Sequence, residues 1–159
     1  MKPMDLVDDI VVFDIDGVLG KYDFKTLGIK IVEEHKWVRE NMKRNMYETI
    51  DKTFLFDELI ETKNPMNMYI LSVALSSYEQ ENKKEFILRC YPNIREEHII
   101  FVSESKYKVD ILKELRESYD KSKKDNKRIV MLEDSVPVMK DVELVGNDKL
   151  RCFLVSDFI

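Results

Sequence analysis

Apolar residues gather in five short, mostly unbroken runs: "IVVF" (10–13), "MYIL" (68–71), "HIIFV" (98–102), "RIVML" (128–132) and "RCFLV" (151–155). Continuous rather than alternating runs predict strands covered on both faces, as in a parallel sheet. The segments between them carry helical spacing. "FDELIETK" turns Leu59 and Ile60 inward, and "YEQENKKEFILRCYP" stops at Pro92. "SKYKVDILKELRESYDKS" sets Val109, Leu112, Leu115 and Tyr119 on one face, and "SVPVMKDVELV" fills the gap before the last strand. Such alternation predicts an α/β fold: a three-layer, Rossmann-like domain around a five-stranded, mainly parallel sheet. One stretch departs from it. "IKIVEEHKWVRENMKRNMYETI" reads as a single long amphipathic helix with Ile31, Trp37, Val38, Met42 and Met46 as apolar contacts. It forms a small insertion at about 21–56 in an otherwise single domain over 1–159.

Composition narrows the classes. A chain of 159 residues suits one core, and four glycines and four prolines leave little for linkers. The net charge of -5 is spread along the chain, which disfavours broad nucleic-acid binding. A single nucleotide or a phosphorylated end remains open as substrate. The basic cluster "KSKKDNKR" (121–128) reads as a solvated loop. Cys90 and Cys152 lie in apolar surroundings without metal-ligand spacing and are too few for a disulfide scaffold. They read as buried free thiols of a reducing compartment. The acidic opening "MKPMDLVDD" lacks the apolar core of a signal peptide, and no apolar run has the length of a membrane span. A cytoplasmic protein without membrane contact is expected. His35 and His98 have no partner at ligand or base spacing and read as surface and strand-edge residues.

In a parallel α/β sheet, chemistry collects at the carboxyl ends of the strands. The first strand ends in Asp14 and Asp16, the second in Ser72, and the fourth in Glu133 and Asp134. The third is followed by Ser103, Ser105, Lys106 and Lys108. Two neighbouring carboxylates resist ionising together, and a divalent cation resolves the conflict by stabilising one as an anion. The other can keep a proton for transfer, so the pair supplies a nucleophile and a general acid for breaking a phosphate ester. Hard oxygen ligands beside phosphate point to Mg²⁺. Ser72, Lys106 or Lys108 and the backbone N–H groups around Gly17 would meet the phosphoryl oxygens.

These residues carry a resemblance. "FDIDGVL" resembles the first motif of the haloacid dehalogenase superfamily, "YILS" the second, a lysine opening the helix after the third strand the third, and "VMLEDS" the fourth. The four span residues 13 to 135 in the right order. The resemblance implies that Asp14 is the nucleophile, forming an aspartyl-phosphate, and a Mg²⁺ ligand through its carboxylate. Asp16 would be the acid/base and would ligate Mg²⁺ through its backbone carbonyl. Ser72 and the lysine would bind phosphate, and Asp134, with Glu133, would hold the metal. Residues 17–23 would cover the nucleophile. "SKYKVD" matches the β-phosphoglucomutase-like pattern and selects Lys106, whereas "KVDIL" matches phosphoserine-phosphatase-like members and selects Lys108, the cleaner helix reading. Asp141 lies too far along to be a ligand.

The implied activity is that of a Mg²⁺-dependent phosphomonoester hydrolase with water as acceptor. "KKEFILRCYPNIREEHIIFVSES" is similar to 5′(3′)-deoxyribonucleotidase-like members, which makes a nucleotide or nucleic-acid terminal phosphate the first candidate substrate. The small insertion leaves the site open, suiting a larger substrate or closure by a second subunit of a homo-oligomer. The competing class is a non-catalytic module that binds a phospho-ligand or a protein through the 30–50 helix. The intact Asp14/Asp16 pair argues against it.

Overall fold

A computed structural model describes residues 1–21, 34–122 and 126–159, leaving aside the side chains of 34–37. Five strands, β1 (Ile10–Phe13), β2 (Met68–Val73), β3 (Ile99–Val102), β4 (Ile129–Glu133) and β5 (Leu150–Leu154), form one sheet. Every pairing is parallel, in the order β3-β2-β1-β4-β5. Five α-helices among the described residues accompany them: α1 (Glu34–Lys43), α2 (Asp57–Thr62), α3 (Ser77–Cys90), α4 (Lys108–Ser122) and α5 (Val136–Val145).

Side chains on a strand alternate between faces, so the unbroken apolar runs imply a core on each side. Val11 and Phe13 of β1 pack on one face with Leu59 and Ile60 of α2 and with Phe86 and Ile87 of α3. Ile10 and Val12 pack on the other with Leu112 of α4 and with Val138 and Val142 of α5. The result is the three-layer Rossmann-like α/β arrangement. β1 is central, with β2 and β3 to one side and β4 and β5 to the other. The strand order therefore reverses beside β1, and a crevice opens where β1 and β4 end.

The structure differs from the sequence reading at several points. The long helix expected over 29–50 ends at Lys43 within the described residues. Asn45 then caps a separate 3₁₀ turn, its side chain accepting from the Tyr47 N–H at 3.0 Å. A short polar side chain that satisfies a backbone donor locally competes with helix continuation. The break turns Met46 and Tyr47 into the core while Met42 stays exposed. Residues 22–33, including Ile31, lie outside the described residues, as do the side chains of Trp37 and His35 and positions 123–125 of the basic cluster. At that cluster's end, Arg128 is no solvated side chain but forms a two-pronged pair with Asp9 (2.8 and 3.2 Å). His98 is buried against expectation: its Nδ1 meets the Met68 carbonyl at 2.8 Å and its ring stacks on Tyr69. Both cysteines are free, but only Cys152 is buried and Cys90 is half-buried. Among the described residues no helix is long and apolar enough to cross a membrane.

One buried charge ties the N-terminal turn to the sheet layer. Lys63, just past α2, is buried and donates to the carbonyls of Leu6 (3.3 Å), Val7 (2.9 Å) and Asp9. Burial lowers its pKa to about 8, so it remains an ammonium at neutral pH. Replacing it strands acceptors that water cannot easily reach. Lys63→Met is expected to lower unfolding stability by about 2 kcal/mol in urea titration, with the distant carboxylate site unchanged.

Candidate functional site

Asp14 follows β1 directly, and its N–H continues the ladder to Leu132 of β4 at 3.1 Å. Because β1 and β4 are neighbours in register, Asp14 emerges beside Glu133 and Asp134. Carboxylate oxygens of these three residues lie within 4.8 Å of one another, a group able to hold a metal ion. They line a cavity of about 750 Å³ together with Asp16, Ser72, Lys83 and Lys108.

Lys108 opens α4 and is buried between two of the carboxylates. Its Nζ lies 3.0 Å from Asp14 Oδ2 and also pairs with Glu133 Oε1. Burial works against its charge, but Asp14 and Glu133 outweigh that and raise its pKa to about 12. Glu133 is wholly buried, and its second oxygen accepts from the N–H groups of Asp134 (3.1 Å) and Ser135 (3.2 Å). Burial and then Asp14 push its pKa upward, with Lys108 pulling back. Glu133 thus anchors Lys108 and shapes the turn into α5, and Asp134 is the freer ligand. Asp134 is exposed at its outer edge, yet burial of its carboxyl and then the charges of Asp14 and Asp16 push it up to about 6. One ammonium among three carboxylates leaves a surplus of negative charge that a divalent cation would neutralise. The all-oxygen donor set suits a hard divalent cation.

The other expected residues separate. Ser72 is buried on β2 and lines the cavity. Lys106 does not reach it: it sits in the 3₁₀ turn before α4, its side chain 67% exposed and paired with Glu104 at 3.1 Å. A difference of two residues across that turn decides which lysine points inward. Gly17 also differs from its expected role, because its N–H donates to the Gly20 carbonyl at 3.0 Å and is not free for phosphate. What glycine supplies is space and a φ of +75°. A Cβ there would come within 2.7 Å of Asp134 Cγ and closer still to its oxygen.

Three residues at or behind the pocket wall escaped the sequence reading. Lys83 of α3 has a side chain only 2% exposed, and it donates to Asp16 Oδ2 (2.9 Å), Ser72 Oγ (3.2 Å) and the Val73 carbonyl. Burial opposes its charge, but Asp16 and Glu79 outweigh this and hold it above its ordinary value. The Tyr47 hydroxyl donates to the other Asp16 oxygen at 2.6 Å. Asp16 is therefore held from both sides, and its carboxylate is not one of the metal-ligand group of Asp14, Glu133 and Asp134. Asn41 of α1 is buried and lines the same cavity. A signal for Lys83 existed. Glu79, Lys83 and Phe86 fall at i, i+4 and i+7, so the charged pair shares the face of a core phenylalanine. Asn45 could have announced the turn that delivers Tyr47. No local pattern marks Asn41.

No family model matches the chain, and no curated protein matches it.

If the group holds a divalent cation, Gly17→Ala is expected to weaken its binding about ten-fold or more by calorimetry, because the new methyl displaces Asp134. The strained φ should also lower unfolding stability by about 1 kcal/mol.

Proposed function

We propose that the protein is a Mg²⁺-dependent phosphomonoester hydrolase of the haloacid dehalogenase type, working through an aspartyl-phosphate. The observation that carries this reading is the meeting of Asp14 with Glu133, Asp134 and Lys108 at the ends of β1 and β4. A merely structural cluster has no need of a carboxylate that faces an open cavity beside a captive ammonium.

The chemistry follows from the side chains. A carboxylate oxygen of Asp14 attacks phosphorus, forming an O–P bond as the ester P–O bond breaks. Asp16, once it has taken up a proton from solvent, gives it to the departing alcohol oxygen. It then takes a proton from the water that attacks the aspartyl-phosphate, releasing inorganic phosphate and restoring Asp14. Lys108 lies where it can donate to a phosphoryl oxygen while holding Asp14. The Ser72 hydroxyl accepts from Lys83, so its own hydrogen is left for the substrate. Bound at Asp14 and Asp134, Mg²⁺ would supply positive charge against the phosphoryl oxygens. Lys83 directs its bonds to Asp16, Ser72 and Val73, which makes it a positioning residue. A nucleotide or nucleic-acid terminal phosphate is the first substrate class to examine. The free thiols Cys90 and Cys152 fit a reducing, cytoplasmic setting, and burial raises Cys152 to about 12.

Hydrolysis of p-nitrophenyl phosphate should require Mg²⁺, stop on chelation and return when the ion is restored. Asp14→Asn should reduce it about a thousand-fold; full turnover by that variant would remove the nucleophile and the proposal with it. Lys83→Met should lower kcat about a hundred-fold with little change in KM, since it orients the acid and touches no substrate atom. Lys83→Arg should recover part of the loss.

A further inference from the structure

Asn41 combines two properties that rarely coexist without a reason. It is 3% exposed, and its Oδ1 has no hydrogen-bond partner among the described residues. A buried amide oxygen left unpaired is destabilising, and native proteins satisfy nearly all such atoms. The same residue lines the cavity that holds Asp14 and Asp16. An acceptor that lacks a partner among the described residues, on a residue that borders a substrate-sized space, can be completed by a donor that enters that space.

The surroundings describe the rest of that ligand. Val38 lies one helical turn before Asn41 and lines the same cavity, as do Leu75 and Val138. Leu75 is 50% exposed, an apolar wall left open to solvent. Two further charged groups of the cavity are engaged: Glu79 Oε2 accepts from the Leu75 N–H at 2.8 Å, and Glu104 pairs with Lys106. Asn41 therefore offers a neutral acceptor in a cavity that also has apolar walls.

We infer that Asn41 is a specificity-determining residue whose amide oxygen accepts a hydrogen bond from an O–H or N–H group on the alcohol half of the phosphoester. This rests on the hydrolase reading for the orientation of the ester. A site built around such an acceptor rejects analogues that lack the donor, because its own buried atom is then unpaired.

The test measures binding, so that it stands apart from turnover. The full chain carrying Asp14→Asn, with Mg²⁺ present, is titrated by calorimetry with two matched pairs of monoesters. Uridine 5′-monophosphate against its N3-methyl analogue tests a ring N–H. Glycerol 3-phosphate against propyl phosphate tests hydroxyls. The donor-bearing member of at least one pair should bind about five-fold tighter or more. Adding Asn41→Leu should abolish that preference, whereas Asn41→Asp, which keeps the shape and an acceptor, should retain it. No preference in either pair, including no binding at all, overturns the inference. So does a preference that survives Asn41→Leu or disappears in Asn41→Asp. Absence of turnover by the wild-type protein, with the binding preference intact, would remove the hydrolase reading alone.

Discussion

Two buried ammonium groups hold this pocket together. Lys108 stands between Asp14 and Glu133, and Lys83 stands between Asp16 and Glu79. Without them the described pocket would gather six carboxylates (Asp14, Asp16, Glu79, Glu104, Glu133 and Asp134) at the edge of an apolar sheet with nothing inside it to offset their repulsion. The lysines do more than neutralise. Each fixes the direction of an aspartate, so that Asp14 joins the carboxylates of β4 while Asp16 turns toward Ser72 and Tyr47. Neighbours two residues apart in sequence are thereby given different surroundings, the condition for different chemical roles.

The sheet topology makes this division possible. With β1 central, residues after it can meet β4 on one side and β2 on the other. Asp14 draws on the first neighbour and Asp16 on the second, through Lys83 and Ser72. Gly17 lets the chain turn at once, with the N–H groups of Val18, Leu19 and Gly20 all closing on the Ile15 carbonyl. The same glycine leaves the room that Asp134 occupies. Backbone and site are shaped by one tight turn.

A division also runs across the pocket. On the sheet side Asp14, Glu133, Asp16 and Ser72 are each held by a buried lysine, which suits a rigid cradle for a small anion. On the α1 side the lining is Val38 and the unpaired Asn41. The first half favours chemistry common to many esters, and the second is where one alcohol would be told from another.

Much of this was legible in the chain itself. The five apolar runs read as strands covered on both faces, which holds fully for β1 and β4 while the edge strands β3 and β5 are partly open. The rule that polar strand ends gather at one edge brought Asp14, Ser72, Glu133 and Asp134 together without coordinates. What sequence could not decide was direction. Lys106 and Lys108 differ only in how a 3₁₀ turn rotates into α4, and Lys83 sits beside Lys84 in an unremarkable charged stretch. Local composition records which residues are charged, but burial depends on which face of a helix meets the sheet. That choice belongs to packing across distant segments: helical spacing hinted at Lys83 and Lys108, but only the tertiary structure placed them, with Asn41, at the pocket.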